Sequence, residues 1–112
     1  MFYSNAPEET RAFFRDLLRM RSCDVGDGWL IFEGPPADIG AHPPSPPHGP
    51  AGTHVISFSC DDIQATVAEL KARGVVFTRD IRDDGYGLTI EFAVPGGLTC
   101  ELYEPRYALR FE

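Results

Sequence analysis

His54 and Glu101 are the residues whose types and placement point most directly to chemistry. Each belongs to a short strand-like run. His54 opens His54-Val55-Ile56-Ser57-Phe58-Ser59, and Glu101 sits inside Leu98-Thr99-Cys100-Glu101-Leu102-Tyr103. An imidazole and a carboxylate from two different strands are donors that a divalent-metal site in a curved sheet uses. Of the other two histidines, His42 precedes Pro43, whose ring favours extended backbone before it, a geometry suited to a strand-end ligand. His48 stands among prolines and reads as a solvated loop residue.

The elements that must position these groups come from one domain's length of chain. It has 112 residues, 43% of them apolar or aromatic, enough for a real core and too many for a disordered tail. No run approaches the roughly 20 apolar residues of a membrane-spanning helix, and no basic start leads into an apolar run with a cleavage site. Seventeen acidic against ten basic residues give a formal charge of -7, which argues against a nucleic-acid partner. The cysteines Cys23, Cys60 and Cys100 are odd in number, far apart and lack close spacing. They read as small buried hydrophobes of a reducing, cytoplasmic protein.

Asn5-Ala6-Pro7-Glu8 predicts a helix start, with Asn5 as cap, Pro7 in the first turn and Glu8 completing a capping box. Phe13, Phe14, Leu17 and Leu18 then share a face, and the helix should end near Arg19–Met20. Asp27-Gly28 turns into a strand, Trp29-Leu30-Ile31-Phe32, and Gly34-Pro35-Pro36 turns again before Asp38–His42. Residues 43–53 are too rich in proline for a ladder or a helix and read as an extended linker. The second half repeats the order. His54–Ser59 is a strand, Asp61-Asp62-Ile63-Gln64 opens a helix that Gly74 stops, and Val75–Thr78, Leu88–Val94 and Leu98–Tyr103 are strands. The fold class is therefore α+β: strand, helix and three strands, twice over, as an internal duplication implies.

The last hairpin can be registered from its pattern. If Pro95-Gly96-Gly97 is a three-residue loop, Val94 faces Leu98, Phe92 faces Cys100 and Ile90 faces Leu102, which collects six apolar residues on one side. The other side then carries Ala93 beside Thr99, Glu91 beside Glu101, and Thr89 beside Tyr103. Two carboxylates placed opposite each other repel, so this face needs water, a proton, a cationic ligand or a metal.

Several segments resemble the vicinal oxygen chelate superfamily, which includes glyoxalase I, bleomycin-resistance proteins and extradiol dioxygenases. They are Thr10–Leu18, His54–Phe58 with Cys60–Ile63, Ala65–Val75, Pro95-Gly96-Gly97, and Glu101-Leu102-Tyr103-Glu104-Pro105. The resemblance implies two βαβββ modules, residues 1–42 and 54–107, whose sheets form one curled mixed sheet around a cleft. It implies that the first module's opening strand is truncated before Tyr3. His54 and Glu101 match two of the four metal positions. Gly40 falls at a third, with His42 as its substitute, so a divalent metal (zinc, nickel, iron or manganese) would rest on His54, Glu101 and His42. Arg19 stands where the family has a glycine. On this reading Glu101 and Glu91 are the catalytic carboxylates of a lyase or isomerase, with a dioxygenase as the alternative chemistry. The alternative from the same resemblance is a metal-free, dimeric drug- or metabolite-binding protein. There Trp29, Tyr86 and Tyr103, beside the two glutamates, receive a cationic, partly flat small molecule.

Overall fold

The fold is taken from a computed structural model, which describes residues 1–41, 43–44 and 49–108. It is α+β, with two helical segments, a two-stranded hairpin and a four-stranded mixed sheet. Pro7 begins helix α1 (Pro7–Ala12), where its missing N–H costs nothing. The expected cap is different. Ala6 stands at the N-cap, and Ser4 Oγ accepts the Ala6 N–H at 2.9 Å and bonds Thr10 Oγ1 at 2.6 Å. The Thr10 hydroxyl lies 2.5 Å from the Pro95 carbonyl, while the Asn5 N–H donates to Gly96 O at 3.1 Å. A distant turn, rather than a capping box, fixes this helix entry. Gly96 meets it with φ +104, a conformation that favours glycine.

After Ala12 the chain widens into a π turn over Phe13–Leu17, with Leu18 N–H donating to Phe13 O at 3.1 Å. The wider turn brings the adjacent Phe13 and Phe14 both into the core. Arg19 then takes φ +56, the left-handed turn that a glycine would make without Cβ strain. Strands β1 (Ser22–Asp24) and β2 (Leu30–Phe32) form an antiparallel hairpin with Cys23 opposite Ile31.

The second half builds the larger sheet from β3 (Ser57–Ser59), β4 (Arg82–Asp83), β5 (Gly87–Val94) and β6 (Leu98–Pro105), in the order β3-β6-β5-β4. The β5/β6 register is the one the pattern predicts: Val94 pairs with Leu98, Phe92 with Cys100, Glu91 with Glu101 and Thr89 with Tyr103. Strand β3 runs parallel to β6, with Ser57 opposite Glu101. Between them α2 (Ile63–Ala72) crosses the apolar face. Asp62 Oδ1 accepts the Ala65 N–H at 3.1 Å as the cap, and Gly74 ends the helix at φ +99. Glu104 adds a second acceptor at this end, taking the Ile63 N–H at 3.0 Å.

The first half departs from the expected module. Residues 1–3 and 33–41 form no strand, and Ile39 is exposed. Pro35 and Pro36 remove two backbone donors there, and Ile39 as the one large apolar side chain gives that stretch little face to bury. Strand β3 also begins at Ser57 rather than His54, and Val75–Thr78 contributes one bridge, Phe77 to Phe92, rather than a continuous strand. Cys100 is buried as expected, which pushes its thiol up to about 11, whereas Cys23 is exposed on the hairpin. No helix among the described residues is long and apolar enough to cross a membrane.

Phe92 is the centre of the core at 1% exposure. Its ring stacks on Phe13 with centroids 6.2 Å apart and meets Phe77 at 6.0 Å and Phe58 at 6.4 Å. Truncation to alanine removes ring contacts with the π turn (Phe13), with β3 (Phe58) and with the Phe77 bridge at once. The Phe92→Ala protein should lose about 3–5 kcal/mol in urea unfolding. A loss below about 1 kcal/mol would show that this ring does not join the layers.

Candidate functional site

The polar side of the β5/β6 hairpin is the candidate site. Alternation along the strands turns Phe92, Cys100 and Leu102 under α2 and leaves Thr89, Glu91, Glu101 and Tyr103 on the opposite face. The Glu91/Glu101 pair that the register demands is relieved by protein groups. Ser57 Oγ donates to Glu101 Oε1 at 2.8 Å, Thr78 Oγ1 donates to Glu91 Oε1 at 2.8 Å, and Arg79 Nη2 lies 4.0 Å from Glu101 Oε2. The Glu101 side chain is only 19% exposed, so these partners matter more than they would in open water.

Arg79 belongs to a longer chain of bonds across the sheet. It donates to Thr89 O and Thr89 Oγ1, each at 3.0 Å. The fully buried Thr89 hydroxyl donates to Asp84 Oδ2 at 2.8 Å, and Arg82 holds the same carboxylate through Nε at 2.5 Å and Nη2 at 3.2 Å. The Arg82 hydrogen bond holds the Asp84 carboxyl below its ordinary range; the Thr89 bond and the charges of Arg82 and Arg79 act the same way, against burial. Aromatic groups lie beside the carboxylates. Tyr86 meets Tyr103 edge-on at 5.8 Å, and Tyr107 meets Tyr103 at 6.3 Å. The Tyr103 hydroxyl is buried without a hydrogen bond of ordinary geometry. Burial first, then Tyr107, Tyr86 and the Glu101 charge, push its pKa up.

The predicted site residues separate into two groups. Glu91, Glu101, Tyr86 and Tyr103 come together. Trp29 does not join them: it lies at the hairpin of the first half under the Arg11 guanidinium, 4.9 Å from the ring centroid, and Arg11 belongs to α1 on the other side of the sheet. His54 is exposed, three residues before the start of β3. Glu101's neighbour across the strands is Ser57, and His54 lies outside the paired stretch. His42 lies outside the described residues. Among the described residues no group of three or more His, Cys, Asp or Glu side chains is arranged to hold a metal ion. Among the described residues, the groups that meet Glu101 are Ser57 and Arg79 rather than further metal donors.

Sequence reasoning missed Ser57, Thr78, Arg79, Arg82 and Asp84 as site residues. For Ser57 the signal was present, since it shares Glu101's alternation once β3 is laid parallel to β6. Arg79 lies in the irregular stretch between the Phe77 bridge and β4, where no periodicity assigns a face.

With this geometry in view, the comparisons are specific about family. Residues 1–102 match the Glyoxalase/Bleomycin resistance protein/Dioxygenase superfamily, and the chain belongs to it. Solved structures of similar fold include a lactoylglutathione lyase from Agrobacterium tumefaciens (22% identity, 92% of this chain and 88% of that one, TM-score 0.61). Another is TnmS3, an antibiotic binding protein from a Streptomyces species (19% identity, 94% and 97%, TM-score 0.63). A glyoxalase/bleomycin resistance protein/dioxygenase from Nocardioides is similar at 19% identity, covering 96% and 84%, with TM-score 0.63. No curated protein matches the chain.

The Asp84 network carries a pH signature. A carboxyl whose folded pKa is depressed adds stability above its unfolded value, about 3.9, and that stability is lost as pH falls through the folded value. The wild-type urea midpoint should exceed that of Asp84→Asn at neutral pH, with the gap closing below about pH 4. A gap that does not change with pH would remove the Arg82–Asp84 bond from the account of stability.

Proposed function

We propose that this protein binds a small, flat, positively charged aromatic molecule on the Glu91/Glu101 face of its sheet, without a metal. The observation that carries the reading is the charge balance there. Two adjacent carboxylates are answered by one guanidinium, Arg79, since Arg82 is already matched by Asp84. A ligand cation completes the balance, and Tyr103 with Tyr86 offers ring surface to its flat part. Glu101 and Glu91 act as counter-charges in this reading, and the buried Tyr103 hydroxyl gains a partner when the ligand brings one. That the same fold occurs in an antibiotic binding protein supports the class of activity.

Two measurements test it. Titration with 9-aminoacridine, a planar cation that is itself fluorescent, should show saturable binding and raise the melting temperature. Glu101→Gln should weaken that binding by about tenfold, the equivalent of about 1.4 kcal/mol. An affinity unchanged in Glu101→Gln, or no binding across a panel of planar cations, would reject the reading. Protein loaded with zinc, nickel, iron(II) or manganese and then desalted should keep no stoichiometric metal. One metal per chain, lost on His54→Ala, would restore the metal-dependent enzyme instead.

A further inference from the structure

A second, chemically different space lies on the other side of the same sheet. It is a pocket of about 250 Å³ whose floor is Phe58, Phe92 and Leu102 and whose wall is Leu18 and Met20, from the chain just beyond the π turn. Glu33 stands at the mouth, where it pairs with Arg21 at 2.9 Å. Phe58 pairs with Leu102 across β3 and β6, and both have the alternation opposite to Ser57 and Glu101. The sheet therefore separates this space from the carboxylate face. A ligand in one does not touch the other.

The geometry points to a binding site here for an uncharged, flat, two-ring aromatic molecule of naphthalene size. Volume sets the size: a dry cavity of about 150 Å³ lined by aliphatic and aromatic side chains takes up benzene, so about 250 Å³ suits roughly ten carbon atoms. The lining sets the polarity. Phe58 and Phe92 present ring surface, with centroids 6.4 Å apart and planes inclined at 34°, and Met20 brings a polarisable thioether that makes favourable contacts with aromatic rings. No cation is called for, because the one carboxylate at the mouth already has Arg21. A single hydroxyl on the ligand can lie in the mouth and stay hydrated. This site stands independently of the cation-binding reading, since none of its lining residues belongs to the carboxylate face.

The chain's two methionines make the test direct. Met20 lines the pocket, whereas Met1 is 89% exposed. With methyl-labelled methionine, titration of the wild-type protein with 2-naphthol should move the Met20 methyl resonance upfield by ring current, saturating at one equivalent, and leave Met1 in place. Leu18→Trp, which fills the pocket from its half-buried wall, should weaken this response by about tenfold or more while the melting transition is retained. The site is overturned if neither methyl moves, if both drift together without saturation, or if a folded Leu18→Trp protein responds like the wild type. A pocket already closed by the chain itself leaves Met20 unmoved and counts against the site equally. Should Leu18→Trp fail to fold, the wild-type contrast between Met20 and Met1 decides alone.

Discussion

The register of the β5/β6 hairpin is the constraint on which the rest depends. Side chains alternate with a period of two, so placing Phe92 opposite Cys100 also places Glu91 opposite Glu101. The two consequences differ in scale. Burying a phenylalanine or leucine side chain is worth about 1.5–3 kcal/mol, and this face buries Ile90, Phe92, Val94, Cys100 and Leu102 together. A like-charge cross-strand pair costs only about 0.2–1 kcal/mol when hydrated. The core decides the register, and the carboxylates are brought together as a result.

The polar side of the sheet then answers that juxtaposition with groups from four separate places. Ser57 comes from the parallel strand β3, Thr78 from beside the Phe77 bridge, Arg79 from the irregular segment that follows, and Asp84 with Arg82 from the turn around β4. None of these groups alone makes a site. Through Asp84, Thr89 and Arg79, Arg82 is linked to Glu101 and so to Ser57. At this point of the sheet the Arg79 guanidinium faces Glu101, and Arg82 is matched by Asp84.

The apolar side shows how the first half of the chain contributes without building a full sheet. Its helical segment docks on the second half's strands through Phe13, which stacks on Phe92, and the π turn and the left-handed Arg19 bring Leu18 and Met20 over Phe92 and Leu102. Arg73 ties the two helices by donating to Leu17 O at 3.2 Å. This layer holds the molecule together and leaves a void at its edge. One sheet thus presents a charged face on one side and an apolar pocket on the other.

Alternation, turn chemistry and composition were legible in the residues themselves. They set the α+β class, the second helix with its Asp61-Asp62 start and Gly74 stop, the three-residue Pro95-Gly96-Gly97 loop, and the β5/β6 register from Val94/Leu98 to Thr89/Tyr103 with its Glu91/Glu101 pair, because each depends on neighbours a few positions away. Tertiary structure decided the remainder. Whether His54 faces Glu101 depends on where a parallel strand docks, and its offset places Ser57 there. Whether Asn5 caps a helix depends on a turn some ninety residues on, where Gly96 takes its N–H instead. Whether Arg79 or a metal balances Glu101 depends on a segment with no period to read. Local pattern assigns a side chain to a face; only packing between distant segments determines which side chain it meets.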